Sequence, residues 1–81
     1  MKDRNKILTQ ILIVAEDYGL EIININFRNI NELKEKVKFT FEYGYNQFIL
    51  IYSYDKNDIY KINSFASYFR NELNKKLKED K

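Results

Sequence analysis

The sequence predicts an α+β fold in the order α-β-β-β-α, with a three-stranded antiparallel sheet and both helices packed on one face. Apolar residues recur every three to four positions near both ends of the chain, which is helical spacing. In the middle they alternate with polar residues, which is strand spacing. The 81 residues are enough for one domain, so we expect residues 1–81 to form a single small α+β binding domain.

The first predicted element is an amphipathic helix over residues 4–18. Asp3 is the expected N-cap, and Gly19 stands where a helix favours a left-handed residue. Ile13 and Val14 widen the apolar stripe. The stripe itself consists of Ile7, Leu8, Ile11, Leu12, Ala15 and Tyr18.

The period changes over residues 20–28, where β-branched residues alternate with polar ones and predict a strand. We expect Ile23, Ile25 and Phe27 to face the core. The opposite face would carry Ile22, Asn24, Asn26 and Arg28.

Residues 29–35 give a weaker pattern, in which Asn31 could cap a single helical turn. A longer helix through Phe41 is rejected, because Val37, Phe39, Phe41 and Tyr43 alternate strictly with polar residues. That alternation is typical of a half-buried strand.

A turn over residues 43–46 follows, since Gly44 adopts a positive φ at little cost. The next strand, residues 47–54, is apolar on both faces. Phe48, Leu50, Tyr52 and Tyr54 lie on one face, and Ile49 and Ile51 on the other. The sequence leaves open which of these two faces is buried.

The last predicted element is one helix from about Ile59 to Lys78, capped by Asp58. Its lysines near the C-terminal end complement the helix dipole. Its apolar stripe consists of Ile59, Ile62, Ala66, Phe69, Leu73 and Leu77, with Phe65 beside it.

Composition narrows the function classes. The chain has no Cys and no His, so it lacks disulfides, the preferred ligands of zinc, and the usual histidine base. We therefore expect no cofactor, no metal and no enzymatic activity, and a cytoplasmic protein without a membrane segment. Four pairs of neighbouring carboxylates show no burial context that would shift a pKa: Glu16-Asp17, Glu32/Glu35, Asp55/Asp58 and Glu79-Asp80.

The outer sheet face is the expected protein-binding surface, because aliphatic residues framed by polar ones fit an interaction patch. It would bind a protein partner or a second copy in a homodimer. Tyr43 and Tyr45, which flank Gly44, are a plausible contact point at the hairpin tip. The predicted face carries Ile22, Asn24, Asn26, Arg28, Lys38, Thr40, Glu42, Ile49, Ile51 and Ser53.

The alternative is a nucleic-acid-binding domain, since a basic stripe on the last helix suits phosphate contacts. The net charge of only +2 and the acidic residues Glu72, Glu79 and Asp80 oppose it. Its candidate residues are Arg70, Lys75, Lys76 and Lys78, joined on the sheet by Arg28 and Lys38.

The α-β-β-β-α order is similar to that of the double-stranded RNA-binding domain. The last helix, however, begins with Asp58-Ile59-Tyr60-Lys61, where that family has basic residues. The family also has a loop with Gly-Pro and His between its first two strands, whereas residues 29–35 contain no Gly, Pro or His. We therefore do not assign the chain to that family.

The composition bears on the source of the gene. Ile, Lys and Asn dominate, and all three have A/T-rich codons. We expect a small inhibitor from a phage, virus or mobile element that acts against a host defence or nucleic-acid-processing complex. It is similar to anti-CRISPR proteins in its small size and plain composition only, and shares no motif with them.

Overall fold

The computed structural model describes residues 2–79. A helix, three antiparallel strands and two further helices follow one another, which confirms the predicted fold class but divides the last helix. The elements are α1 (Lys2–Tyr18), β1 (Glu21–Asn29), β2 (Lys34–Tyr43), β3 (Asn46–Asp55), α2 (Ile59–Asn63) and α3 (Phe65–Glu79).

The first helix begins one residue before the predicted cap. Asp3 lies inside the first turn of α1, so its assignment as N-cap is wrong, although a carboxylate there still complements the helix dipole. The C-terminal prediction is confirmed, since Gly19 has a φ of +69°. The amide of Leu20 donates to Ala15 at 2.8 Å and that of Gly19 to Glu16 at 3.4 Å, which is a Schellman motif.

The sheet has the order β1-β2-β3, with antiparallel pairing throughout. The β1–β2 register shifts between Ile22 and Asn24, because Ile23 is an extra residue in a β-bulge. Ile22 lies opposite Phe41, and Asn24 lies opposite Thr40. The bulge therefore reverses the facing of the residues before it relative to a regular strand.

The β2–β3 hairpin has a two-residue turn at Gly44 and Tyr45, closed by the pair Tyr43 and Asn46. Gly44 has a φ of +63°, and no non-glycine residue described has a positive φ. A positive φ at the first turn residue alone fits a type II′ turn, whose twist matches that of paired strands.

The β1–β2 connection is an irregular loop of residues 30–33, and the suggested helical turn does not form. The side chain of Asn31 nevertheless accepts hydrogen bonds from the amides of Leu33 and Lys34, both at 2.8 Å. This is the turn-forming use of an Asn side chain.

The C-terminal helical segment is broken at Ser64, so the prediction of one continuous helix is wrong. Asp58 caps α2 as predicted, accepting a hydrogen bond from the amide of Lys61 at 3.0 Å. At the break, the amide group of Gln10 donates to the carbonyl of Ile62 at 2.8 Å and accepts from the amide of Ala66 at 2.8 Å. The Gln10 side chain thus replaces the helical bond between those two residues.

The core lies between the helices and one face of the sheet. Phe39 is its centre, with its ring centroid 4.9 Å from that of Phe69 and 5.9 Å from that of Phe65. The inward face of β3 is settled: Leu50, Tyr52 and Tyr54 are buried, and Ile49 and Ile51 point away. The other buried apolar residues are Ile7, Ile11, Val14, Ala15, Val37, Phe41, Ile62 and Leu73.

Within residues 2–79, no helix is both long and apolar enough to cross a membrane.

Candidate functional site: the outer face of the sheet

The outer face of the sheet is the surface that none of the helices within residues 2–79 covers. Alternation in each strand sends one set of side chains into the core and the other set to this face. Antiparallel pairing then arranges the outward side chains in rows across the strands. The successive rows are Glu21–Glu42–Gln47, Asn24–Thr40–Ile49, Asn26–Lys38–Ile51 and Arg28–Lys36–Ser53.

Two aliphatic side chains lie side by side on β3. Ile49 is 53% exposed and Ile51 is 51% exposed. They lie opposite Thr40 and Lys38 of the central strand, so polar groups border them on one side. The core is complete without them, because its β3 contribution comes from the opposite face. Such a pair, framed by polar residues, is the arrangement found at interaction surfaces.

Beside the aliphatic pair, strands β1 and β2 enclose a shallow depression of about 240 Å³. Cationic, amide and hydroxyl groups line it, so it offers many hydrogen-bond donors and three positive charges. The lining residues are Asn24, Asn26, Arg28, Lys36, Lys38 and Thr40.

The charges at the two ends of the outer face have opposite signs. Glu21 lies directly opposite Glu42 at one end, and Arg28 lies directly opposite Lys36 at the other. Like charges directly opposite each other on paired strands are destabilising. In the described part of the chain, ion pairs involve Arg4 with Glu35, Arg70 with Asp17 and Lys75 with Glu72. None of these neutralises either end of the outer face.

Several predicted binding residues lie where expected. Asn24, Asn26, Arg28, Lys38, Ile49 and Ile51 belong to the outer face.

Ile22 is a correction: it is half-buried and packs against the core, because the bulge at Ile23 reverses its facing. The same bulge turns Glu21 outward and leaves Ile23 48% exposed, where the regular alternation put Ile23 in the core.

The hairpin tyrosines do not join the outer face. Tyr45 is fully exposed at the tip of the turn. Tyr43 continues the inward-facing set of β2 beyond Phe41, and it is 39% exposed because the strand ends there. Any contact that the two make would therefore be at the hairpin tip.

The basic residues of α3 are largely engaged within the chain. Arg70 donates to Asp17 at 2.8 Å, and Lys75 lies 3.4 Å from Glu72. The ammonium of Lys76 lies 5.6 Å from the centre of the Phe48 ring, a cation–π distance. Lys78 is exposed. Two of the four candidate cations of α3, Arg70 and Lys75, are thus paired with carboxylates of the chain.

One carboxylate contradicts the expectation that none is buried. Glu35 is 3% exposed, and its carboxylate accepts hydrogen bonds at 2.6 Å from both the Tyr54 hydroxyl and the Arg4 guanidinium. Burial alone would raise the pKa of Glu35, but the hydrogen bonds from Arg4 and Tyr54 and the charges of Arg4 and Lys56 lower it on balance. Burial and the bond to Glu35 raise the pKa of Tyr54 well above its usual range.

The sequence did signal part of this arrangement. Glu35 belongs to the same alternating set as Val37 and Phe39, which predicts an inward side chain once β2 is extended to Lys34. A position on the inner face closes Glu35 to solutes. We therefore assign Glu35 a structural role.

Lys36 was not singled out from the sequence either. It lies on the outer face by the same alternation that placed Lys38 there.

Fold and surface together define a two-layer α+β domain with one open sheet face that combines aliphatic, amide and charged groups. The chain matches no protein-family model, no curated protein and no solved structure.

Proposed function

We propose that this chain is a non-catalytic protein-binding module that engages its partner through the outer face of the sheet. The observation that carries the proposal is the exposure of Ile49 and Ile51 side by side on that face. Apolar residues at the centre of an interface supply most of its desolvation energy, and polar residues around them exclude water and set the register.

The groups around Ile49 and Ile51 support the binding of a protein partner. The row of Asn26, Lys38 and Ile51 places an amide, a cation and an aliphatic side chain next to one another. Long side chains such as Lys also offer apolar stems to a partner while their charges stay in water. A protein surface can satisfy all three kinds of group at once.

Within this class, the version we favour is a small inhibitor that acts in the cytoplasm. A phage, virus or mobile element would encode it, and its target would be a host defence or nucleic-acid-processing complex. The support is compositional: the chain is short, contains no Cys and is rich in Ile, Lys and Asn.

The test compares substitutions on opposite sides of the molecule. Leu12 is a matched control, because it is 52% exposed on α1 while Ile49 is 53% exposed on the outer face. We expect Ile49→Glu and Ile51→Glu to abolish binding to a partner or to a second copy, and Leu12→Glu to leave it unchanged. Light scattering of the purified variants and affinity capture from host extract measure the two kinds of association.

A second candidate function, nucleic-acid binding, is favoured by the three cations that line the depression, Arg28, Lys36 and Lys38. Fluorescence anisotropy with labelled duplex and single strands at two salt concentrations tests it. Each phosphate-binding cation that is removed lowers the salt slope by about one unit. A slope that falls in Lys36→Ala/Lys38→Ala would assign the contact to the sheet. A slope that falls in Lys75→Ala/Lys76→Ala/Lys78→Ala would assign it to α3.

A further inference from the structure

We propose that the outer face binds a second copy of this chain. The two copies are related by a two-fold axis that lies in the plane of the interface and runs across the strands. This inference rests on the proposed function and names the partner of the same surface. It explains why the face carries two like-charge pairs, Glu21 with Glu42 and Arg28 with Lys36.

The two like-charge pairs lie at equal distances from the middle of β2. Phe39 is halfway between Glu42 and Lys36, which are six residues apart, or about 20 Å along a strand. Phe39 belongs to the inward-facing row Ile25–Phe39–Leu50. A two-fold axis above that row and across the strands exchanges the acidic end of one copy with the basic end of the other.

The exchange brings opposite charges together twice on each side of the axis. Glu42 of one copy then faces Lys36 of the other, and Glu21 faces Arg28. By two-fold symmetry each contact occurs twice, which gives four opposite-charge pairs in all. The attraction between the copies offsets the repulsion that each like-charge pair has in the single chain.

The central rows are also compatible with this axis. Ile49 of one copy faces Ile51 of the other, so the four isoleucines meet along β3. Asn24 faces Asn26, and side-chain amides can donate to and accept from each other. Thr40 faces Lys38, whose flexible stem allows its ammonium to reach the threonine hydroxyl or the surrounding water.

The other two-fold axis in the plane of the interface does not fit. An axis parallel to the strands would leave the two ends unexchanged and set β1 of one copy over β3 of the other, so Glu42 would face Glu42 and Glu21 would face Gln47 at the same acidic end. The basic ends would meet in the same way, and like charges in apposition oppose association. The charge pattern therefore selects one of the two orientations.

The size of the face limits the affinity. Three strands of nine to ten residues cover roughly 14 by 30 Å, or about 400 Å² per copy. A stable interface buries about 800 Å² per partner, so this dimer is weak and reversible. Its ion pairs also make it weaken as salt concentration rises.

The test uses two charge reversals, each of which breaks opposite-charge contacts in this arrangement, whereas with the axis parallel to the strands each would only exchange one like-charge contact for another. In Glu42→Lys every Lys36 faces a lysine, and in Lys36→Glu every Glu42 faces a glutamate. We expect each variant alone to self-associate about tenfold or more weakly than the wild type, and an equimolar mixture to recover wild-type affinity as a heterodimer. Sedimentation equilibrium, with one variant fluorescently labelled, measures the dissociation constants of the wild type, of each variant and of the mixture.

The controls are Glu16→Lys and Lys6→Glu, which make the same changes in net charge at exposed positions of α1. Both should self-associate like the wild type. Circular dichroism of every variant checks that the fold is retained. Recovery in the mixture would itself show that both reversed chains are folded.

Three results would overturn the proposal. If the wild type is monomeric at roughly millimolar concentration, its free energy of self-association is weaker than about 4 kcal/mol and the dimer proposal is wrong. Binding of another protein by the outer face is then decided by the capture experiment. A dimer that Ile49→Glu disrupts but that neither single charge reversal weakens places a second copy on this face in another orientation. A dimer that neither Ile49→Glu nor the charge reversals affect would place the second copy on another surface. The proposed function would then depend on whether Ile49→Glu abolishes capture of another protein.

Discussion

At the scale of single residues, the buried carboxylate of Glu35 links the start of α1 to one end of the sheet. Arg4 contributes from the helix and Tyr54 from β3, and the Arg4 guanidinium also lies 5.5 Å from the centre of the Phe27 ring. Every buried polar side-chain atom among the described residues has a hydrogen-bond partner. A charge buried with its partners is tolerated, whereas the same charge without them is costly.

The sign of the pKa shift of Glu35 predicts how stability depends on pH. Because folding lowers the pKa of Glu35 from its ordinary value of 4.5, the ionised form is favoured in the folded state. The stabilisation is therefore complete above pH 4.5 and is lost as the pH falls through the folded-state pKa. Urea unfolding at pH 7 and at successively lower pH measures it.

The variant Glu35→Gln isolates that contribution, and Glu32→Gln in the exposed loop is its control. We expect Glu35→Gln to lose about 1–3 kcal/mol at pH 7 and to show a shallower decline in acid than the wild type. Glu32→Gln should follow the wild-type curve. Parallel acid curves for wild type and Glu35→Gln would show that Glu35 does not contribute to the pH dependence.

At the scale of elements, Gln10 explains why the C-terminal helical segment is two helices. The apolar spacing from Ile62 to Leu73 continues through the break, so periodicity alone predicts one helix. The group that opens it is 52 residues away from Ile62 in the sequence. Local pattern cannot report a partner so distant, and for the same reason Gln10 was not predicted to have a special role.

Removing this contact tests its contribution. In Gln10→Ala, the carbonyl of Ile62 and the amide of Ala66 lose their side-chain partner, and we expect a loss of about 1–3 kcal/mol in the free energy of unfolding. Gln47→Ala, an exposed glutamine on β3, is the control and should change stability by about 0.5 kcal/mol or less. Equal unfolding midpoints in urea for the two variants would contradict the role of Gln10.

The three strands show where apolar–polar alternation predicts the facing of side chains and where it does not. In β2 and β3 it correctly separates the inward from the outward side chains, because both strands pair without irregularity. In β1 it fails before Asn24, because the extra residue Ile23 shifts the register. A bulge depends on pairing with another strand, so a single strand's pattern could not reveal that Glu21 faces outward and Ile22 inward.

At the scale of the whole molecule, a two-layer domain of this size has one open sheet face. The side chains on that face determine what the domain can bind. The sequence predicted most of this face, including Ile49 and Ile51 as one of two alternatives. Burial of Leu50, Tyr52 and Tyr54 by the helices decided between them. The like-charge pairs required the β1–β2 register, which only the folded chain supplies.

If the outer face binds a partner, Ile49 is needed for association and not for folding. Stability and association are therefore measured in the same preparations of Ile49→Glu and Leu12→Glu. We predict that both variants unfold within about 0.5 kcal/mol of the wild type, as surface substitutions do, and that only Ile49→Glu loses association. A loss of several kcal/mol in Ile49→Glu, or a loss of association in Leu12→Glu alone, would contradict the account.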